Sequence, residues 1–156
     1  MLRLTERYMD RVLIDYDIPY EVFTSRYREV ITNRARKVLG SLFKDIGYSR
    51  SNSGNTHVTI YLTREIPERY VMIIAVFMGS DVKRECMNWF RYIQFNESGT
   101  LFANQYTKKA QRHCNPQSNK PLREFIDRTC LGLRLWVYKY ATLMNYIPGW
   151  DFSKIL

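Results

Sequence analysis

The sequence predicts an α+β protein, with N-terminal helices, a central antiparallel sheet of about four strands, and a C-terminal helix packed on that sheet. Three patterns support this: apolar residues at helical spacing near the N-terminus, strand-like apolar runs in the middle, and a long apolar stretch near the end. The chain has 156 residues, of which 46% are hydrophobic. That length and composition suit a single domain over residues 1–156.

Two helices are predicted before the sheet. Leu4, Tyr8 and Val12 follow one another at intervals of four, so residues 1–16 are predicted to form a short amphipathic helix. The apolar side chains of residues 20–46 recur with a period of about 3.6 residues, which predicts a longer helix. We expect each helix to bury its apolar face.

The middle of the chain is predicted to form strands. Residues 57–63 alternate apolar and polar side chains, and residues 69–79 are almost continuously apolar, as in a strand buried on both faces. Residues 83–95 form a longer mixed run, and residues 100–107 follow a turn signal. The segment 47–57 is rich in Gly, Ser and Asn and is a predicted loop. Short connections between the runs favour an antiparallel meander.

The end of the chain predicts one more loop and one more helix. Residues 108–121 are polar and basic, which is typical of a surface loop. Pro121 is well placed in the first turn of a helix that extends to about residue 146. That segment is apolar nearly all round, so it is expected to pack on the sheet.

The charge of the chain indicates an anionic partner. The formal net charge is +9, and 16 Arg residues stand against 8 Lys. Because the guanidinium fork matches phosphate oxygens bidentately, this balance favours nucleic acid. An acidic protein or an anionic membrane surface would also attract such a chain.

The predicted nucleic-acid contacts are basic residues of the long helix and of the two loops. On the helix they occupy a sector away from the apolar stripe, although an ordinary solvated face would look the same. The residues are Arg26, Arg36, Lys37, Lys44, Arg50, Lys108, Lys109, Arg112, His113 and Lys120.

A few features of the sequence bear on the cellular compartment of the protein and on whether it has a structural metal site. The longest apolar run, Val71 to Met78, is too short to span a membrane, and the charged N-terminus does not look like a signal peptide. Three scattered cysteines predict neither a disulfide framework nor a zinc knuckle. We therefore expect an intracellular protein that is not secreted, located in the host cytoplasm if it is viral.

A charged stretch after the most apolar run is the candidate reaction centre. If residues 83–95 form a strand, then Asp81, Lys83 and Glu85 share one face. Two interpretations remain open: a structural salt-bridge network, or an acidic centre for phosphodiester cleavage. In the second, Asp81 and Glu85 would hold Mg²⁺, with Glu85 as metal ligand or general base and Asp81 as the second acid, and Lys83 would stabilise developing charge.

The segment "SDVKRECMNW", residues 80–89, resembles part of a small DNA-degrading protein of the lipothrix-type filamentous viruses of hot-spring archaea. The rest of the chain is similar only in length, Arg and Tyr usage, and order of elements. The resemblance implies an unusual α+β fold, a nuclease that acts on linear double-stranded DNA, and an essential sheet glutamate in the place of Glu85. The alternative is a DNA-binding protein without catalysis, for example in viral packaging or as a replication accessory.

Aromatic residues and strand edges suggest two further properties. Five rings lie near basic residues in the sequence and could stack on unpaired bases, although they would serve equally well in a core. They are Tyr48, Tyr61, Trp89, Tyr92 and Tyr106. The free edges of the predicted sheet would suit a homodimer.

Overall fold

The computed structural model describes residues 6–95, 151–154 and 156. Within them, helices accompany a three-stranded antiparallel sheet, so the predicted α+β class is confirmed. The elements in chain order are β1 (Tyr8–Pro19), α1 (Tyr20–Arg26), α2 (Arg28–Leu39), β2 (Phe43–Arg50), β3 (Asn55–Pro67), α3 (Glu68–Phe77) and α4 (Val82–Phe95). Short 3₁₀ turns occupy Gly40–Leu42 and Phe152–Lys154.

Strand β3 lies in the centre of the sheet, with β1 and β2 antiparallel to it on either side. About four strands were expected, and the described residues contain three. The pairing of β1 with β3 sets Asp15 opposite His57 and Arg11 opposite Tyr61. Since side chains alternate between the faces of a sheet, these four residues share one face.

The opposite face of the sheet forms the core. Val12 and Ile14 of β1 and Ile60 of β3 are fully buried there. Helices α1, α2 and α3 and the 3₁₀ turn at Phe152 contribute to the same cluster. Their core side chains include Phe23, Ala35, Val38, Leu39, Val71, Ile74, Ala75 and Phe152. We call the other face, which carries Asp15 and His57, the outer face.

The predicted helix over residues 1–16 is wrong, because β1 occupies Tyr8–Pro19. Val12, Ile14 and Tyr16 alternate with less buried residues, and this period of two places them all in the core. The spacing of four that suggested a helix picks out Tyr8, which is exposed. Pairing with β3 satisfies the backbone groups of β1 that face that strand.

The predicted helix over residues 20–46 is correct only in its first part. It is divided into α1 and α2, and the second helix ends at Gly40, whose φ of +52° favours glycine. A Cβ at this position would also collide with the carboxylate of Asp151. The chain then enters β2, so the predicted loop shrinks from residues 47–57 to the turn at 51–54.

Two predicted strands are helices. Residues 69–79 fall mainly in α3, and residues 83–95 fall in α4. An apolar run such as that of α3 has no clear period, and helix and strand give the same pattern when every side is buried. Gly79, with φ of +85°, follows the end of α3 and lets the chain turn into α4.

The other predicted elements, residues 100–107, 108–121 and 121–146, lie outside the described residues. Among the helices that are described, none has the length and apolarity that crossing a membrane would require.

Candidate functional site

The turn between α3 and α4 is fastened to the edge strand β1 at Asp15. The backbone N–H of Asp81 donates to the carbonyl of Asp15 at 2.7 Å, and the N–H of Asp15 donates to Oγ of Ser80 at 3.0 Å. These bonds satisfy both backbone groups of Asp15 at the free edge of the sheet. The start of α4 is therefore held at a fixed position beside β1.

Asp81 caps α4. Its carboxylate oxygen Oδ2 accepts the backbone N–H of Arg84 at 3.1 Å, and its carbonyl accepts the N–H of Glu85 at 3.0 Å. A carboxylate in this position satisfies an otherwise unpaired N–H and lies at the positive end of the helix dipole. The predicted second acid of the site thus has a structural role.

Arg84 connects strand β1 to the buried carboxyl of Glu85. Its Nη1 lies 3.2 Å from Oε1 of Glu85 and 3.5 Å from the carbonyl oxygen of Leu13, and its Nε lies 4.0 Å from Oδ2 of Asp15. Its side chain is 9% exposed. A guanidinium in such surroundings is held by several acceptors and interacts strongly with nearby charge.

Glu85 is almost completely buried, with 1% of the residue exposed. Oε1 accepts hydrogen bonds from Oγ of Ser80 at 2.7 Å and from Nη1 of Arg84, and Asn88 also hydrogen-bonds to this carboxyl. Burial raises its pKa above the usual 4.5, although Arg84, Ser80 and Asn88 act in the opposite direction. A raised pKa in a polar cluster is typical of functional carboxyls and also of structural ones.

His57 and Asp15 form a pair on the outer face. Nε2 of His57 lies 3.6 Å from Oδ1 of Asp15, and both side chains are partly accessible. Burial lowers the pKa of His57, with Arg84 adding to that effect and Asp15 opposing it. Burial likewise raises the pKa of Asp15. A neutral imidazole beside a carboxylate is able to accept a proton at neutral pH.

We call Asp15, His57, Arg84 and Glu85 the β1–α4 cluster. It gathers two acids, an imidazole and a guanidinium from β1, β3 and α4. As a lone histidine at the start of the predicted strand 57–63, His57 carries too weak a signal to mark it as a site residue. Nothing in the sequence indicated Asp15, because its 42-residue separation from His57 is closed only by strand pairing.

The predicted Mg²⁺ ligands do not form a ready-made metal site. Asp81 uses its carboxylate to cap α4, and Glu85 is buried against donor groups. Within the described part of the chain, no three His, Cys, Asp or Glu side chains are grouped so that they could hold a metal ion. The need for Mg²⁺ stays a prediction.

The prediction that one face carries Asp81, Lys83 and Glu85 assumed that the segment is a strand. That assumption is wrong, because the segment enters α4. Lys83 lies in the first turn of the helix, and its side chain is outside what the structure describes. Arg84 takes the place that the sequence analysis gave to Lys83, since it is the cation that contacts Glu85.

A basic surface runs along α1, α2 and β2. Arg28 and Arg36 each lie over an aromatic ring of β2, at 5.1 Å from the Tyr48 centroid and 5.5 Å from the Phe43 centroid. These contacts fix two cations at the surface. We call the exposed set Arg26, Arg28, Arg36, Lys37 and Lys44 the α2–β2 ridge.

The ridge carries little compensating negative charge. Between residues 20 and 50 there are seven basic side chains and three acidic ones. Of the latter, Glu21 pairs with Arg50, so the predicted contact Arg50 is partly neutralised. Arg26, Arg36, Lys37 and Lys44 were all predicted as nucleic-acid contacts, and each of them is exposed. The remaining predicted contacts, Lys108, Lys109, Arg112, His113 and Lys120, lie outside the described residues.

Comparisons of this chain with protein-family models, with curated proteins and with solved structures found no match. The resemblance of residues 80–89 to the viral DNA-degrading protein therefore stays a prediction.

Proposed function

We propose that the protein is a nuclease that degrades linear double-stranded DNA, with the β1–α4 cluster as its reaction centre. The observation that supports this most is the convergence of His57, Asp15 and Arg84 from three separate elements. This set combines a proton acceptor with a cation, which is what hydrolysis of a phosphodiester requires. The α2–β2 ridge would hold the DNA backbone.

His57 is the proposed general base. Because its pKa is lowered, the imidazole is neutral at neutral pH and can take a proton from an attacking water. Asp15, 3.6 Å from Nε2, orients the ring and stabilises the imidazolium once it forms. The water oxygen bonds to phosphorus, the bond to the leaving oxygen breaks, and a proton is returned to that oxygen.

Arg84 is the proposed electrostatic catalyst. As the phosphorus gains a fifth oxygen, the equatorial oxygens accumulate negative charge, and a fixed guanidinium stabilises that charge without reorganising. Glu85 is too buried to reach a phosphate directly in this conformation, so we assign it a positioning role through Arg84 and Ser80.

The test compares wild type with Glu85→Gln and with Glu65→Gln, an exposed control at the end of β3. Each protein is incubated with linear duplex DNA, in Mg²⁺ and separately in EDTA. We expect wild type and Glu65→Gln to degrade the DNA, and Glu85→Gln to be at least about tenfold slower because Arg84 loses a charge-assisted hydrogen bond. The EDTA samples decide whether a divalent ion is required.

A Glu85→Gln protein that folds, binds DNA and degrades it at the wild-type rate would remove Glu85 from the reaction centre.

The same variant should also change how the free energy of unfolding depends on pH. Because the folded-state pKa of Glu85 is raised above 4.5, its ionisation destabilises the native state as pH rises through the range above 4.5. Urea unfolding at acid and neutral pH should therefore show wild type losing stability relative to Glu85→Gln as pH rises.

The second candidate function is DNA binding without catalysis, and the α2–β2 ridge supports it independently of the cluster. We expect Arg36→Gln, Lys37→Gln and Lys44→Gln together to weaken duplex binding. The slope of log affinity against log salt should become shallower by about 0.9 for each phosphate that the variant no longer neutralises. Arg69→Gln, which removes an exposed arginine of α3 that pairs with Glu6, is the control. An unchanged salt slope in the triple variant would exclude the ridge as the DNA-binding surface.

A further inference from the structure

The outer face of the sheet presents an exposed tyrosine beside an arginine. Tyr61 on β3 lies directly opposite Arg11 on β1, and Cζ of Arg11 is 5.8 Å from the ring centroid. Tyr61 is 38% exposed, and the side chain of Arg11 is 49% exposed. This is the combination of ring and cation on which single-stranded nucleic acids commonly stack.

The other rings suggested for stacking are less available. Tyr48 is half-buried and hydrogen-bonded to Thr32. Tyr92 is buried and meets the half-buried Trp89 edge to face, and Tyr106 lies outside the described residues. Tyr61 is thus the exposed ring of this set in the described part of the chain.

The residues of β2 beside Tyr61 leave room for a ligand and favour one orientation of that ligand. Because Gly47 has no side chain, no atoms rise from β2 beside the Tyr61 ring at this position. A Cβ on Gly47 would stand 3.8 Å from Cε2 of Tyr61. Asp45 pairs with Tyr61 across β2 and β3, and its carboxylate would repel a phosphate. A bound nucleotide would therefore place its phosphate toward Arg11 and the amino edge of its base toward Asp45.

We propose that this face binds a single-stranded segment of DNA, with one base stacked on Tyr61 and the neighbouring phosphate held by Arg11. The proposal rests on the proposed nuclease function and specifies its substrate as an unpaired end. Tyr61 and His57 are four residues apart on β3, a distance of about 13 Å or about four stacked nucleotides. Between them Thr59 lies on the same face, with Gly47 opposite it on β2 and the buried Leu13 opposite it on β1.

Binding of a fluorescein-labelled single-stranded oligonucleotide and of a blunt duplex of equal length, both in EDTA, tests the proposal. We expect Tyr61→Leu to bind the single strand about tenfold more weakly, because the stacking ring is removed, and to bind the duplex like wild type. Tyr61→Phe should bind both like wild type, since the ring is kept. Tyr8→Leu, which removes another exposed tyrosine, is the matched control and should change neither affinity.

Equal single-strand affinity for wild type and Tyr61→Leu would overturn the proposal, as would an equal loss in Tyr61→Phe or in Tyr8→Leu. Cleavage of tailed and blunt duplexes then separates this inference from the proposed function. One outcome is that Tyr61→Leu selectively loses single-strand binding while wild type cleaves neither substrate. That outcome would support the binding face and reject the nuclease function. Cleavage by wild type with no effect of Tyr61→Leu on tailed DNA would reject the binding face alone.

Discussion

Replacing Arg84 with Gln is expected to lower the rate of DNA degradation by about 10²- to 10³-fold, the range seen when one preorganised electrostatic group is removed. Arg84 is the cation of the β1–α4 cluster, bound by Glu85 and the carbonyl of Leu13 and close to Asp15. With 9% exposure it is better shielded from solvent than surface arginines, so its charge acts more strongly on a bound phosphate.

The measurement is the initial rate of cleavage at saturating and at limiting DNA, with duplex affinity determined separately. A loss in kcat at unchanged affinity indicates stabilisation of the transition state, whereas a loss in affinity alone indicates backbone binding. Arg84→Lys should recover only a small part of the rate, because an ammonium cannot reproduce the planar set of bonds. Arg64→Gln, an exposed arginine bonded to the carbonyl of Leu156, is the control.

An Arg84→Gln protein with native circular dichroism and wild-type cleavage would show that the cluster is a structural ion-pair network. That was the alternative interpretation of the charged stretch in the sequence. The same experiment therefore decides between the two interpretations of residues 81–85.

Replacing Phe23 with Ala is expected to destabilise the fold by about 3–5 kcal/mol, the range for removing a buried aromatic side chain. Phe23 is fully buried. Its ring centroid lies 5.0 Å from that of Tyr16, 5.7 Å from that of Tyr48 and 6.3 Å from that of Tyr27. It thus joins α1 to β1, β2 and the start of α2, and its removal would leave a cavity between them.

Urea unfolding followed by circular dichroism measures this destabilisation, and the thermal midpoint should fall by about 10 °C or more. Val22→Ala, at the neighbouring exposed position, should change stability much less. A destabilisation below about 1 kcal/mol for Phe23→Ala would mean that the surrounding rings close the cavity. Because Phe23 packs between the strands that carry the cluster and the ridge, a destabilised variant should also lose cleavage at raised temperature.

The sequence by itself determined the fold class, the excess of basic residues and the charged stretch that contributes Arg84 and Glu85 to the β1–α4 cluster. Alternation in residues 57–63 predicted part of β3, since one buried face imposes a period of two. Helical periodicity predicted one helix over the residues that form α1 and α2, and charge selected Arg26, Arg36, Lys37 and Lys44, which are exposed. These features depend on residues close together in the chain.

Only the tertiary structure decided which apolar runs became helices and which side chains met. The α3 segment is buried on nearly all sides, so its hydrophobic pattern carries no period by which a helix differs from a strand. Residues 8–19 became a strand because β3 offered a partner and the core accepted Val12, Ile14 and Tyr16. Asp15 joined His57 and Arg84 because strand pairing and the bonds of Ser80 and Asp81 to β1 close distances that no local pattern encodes.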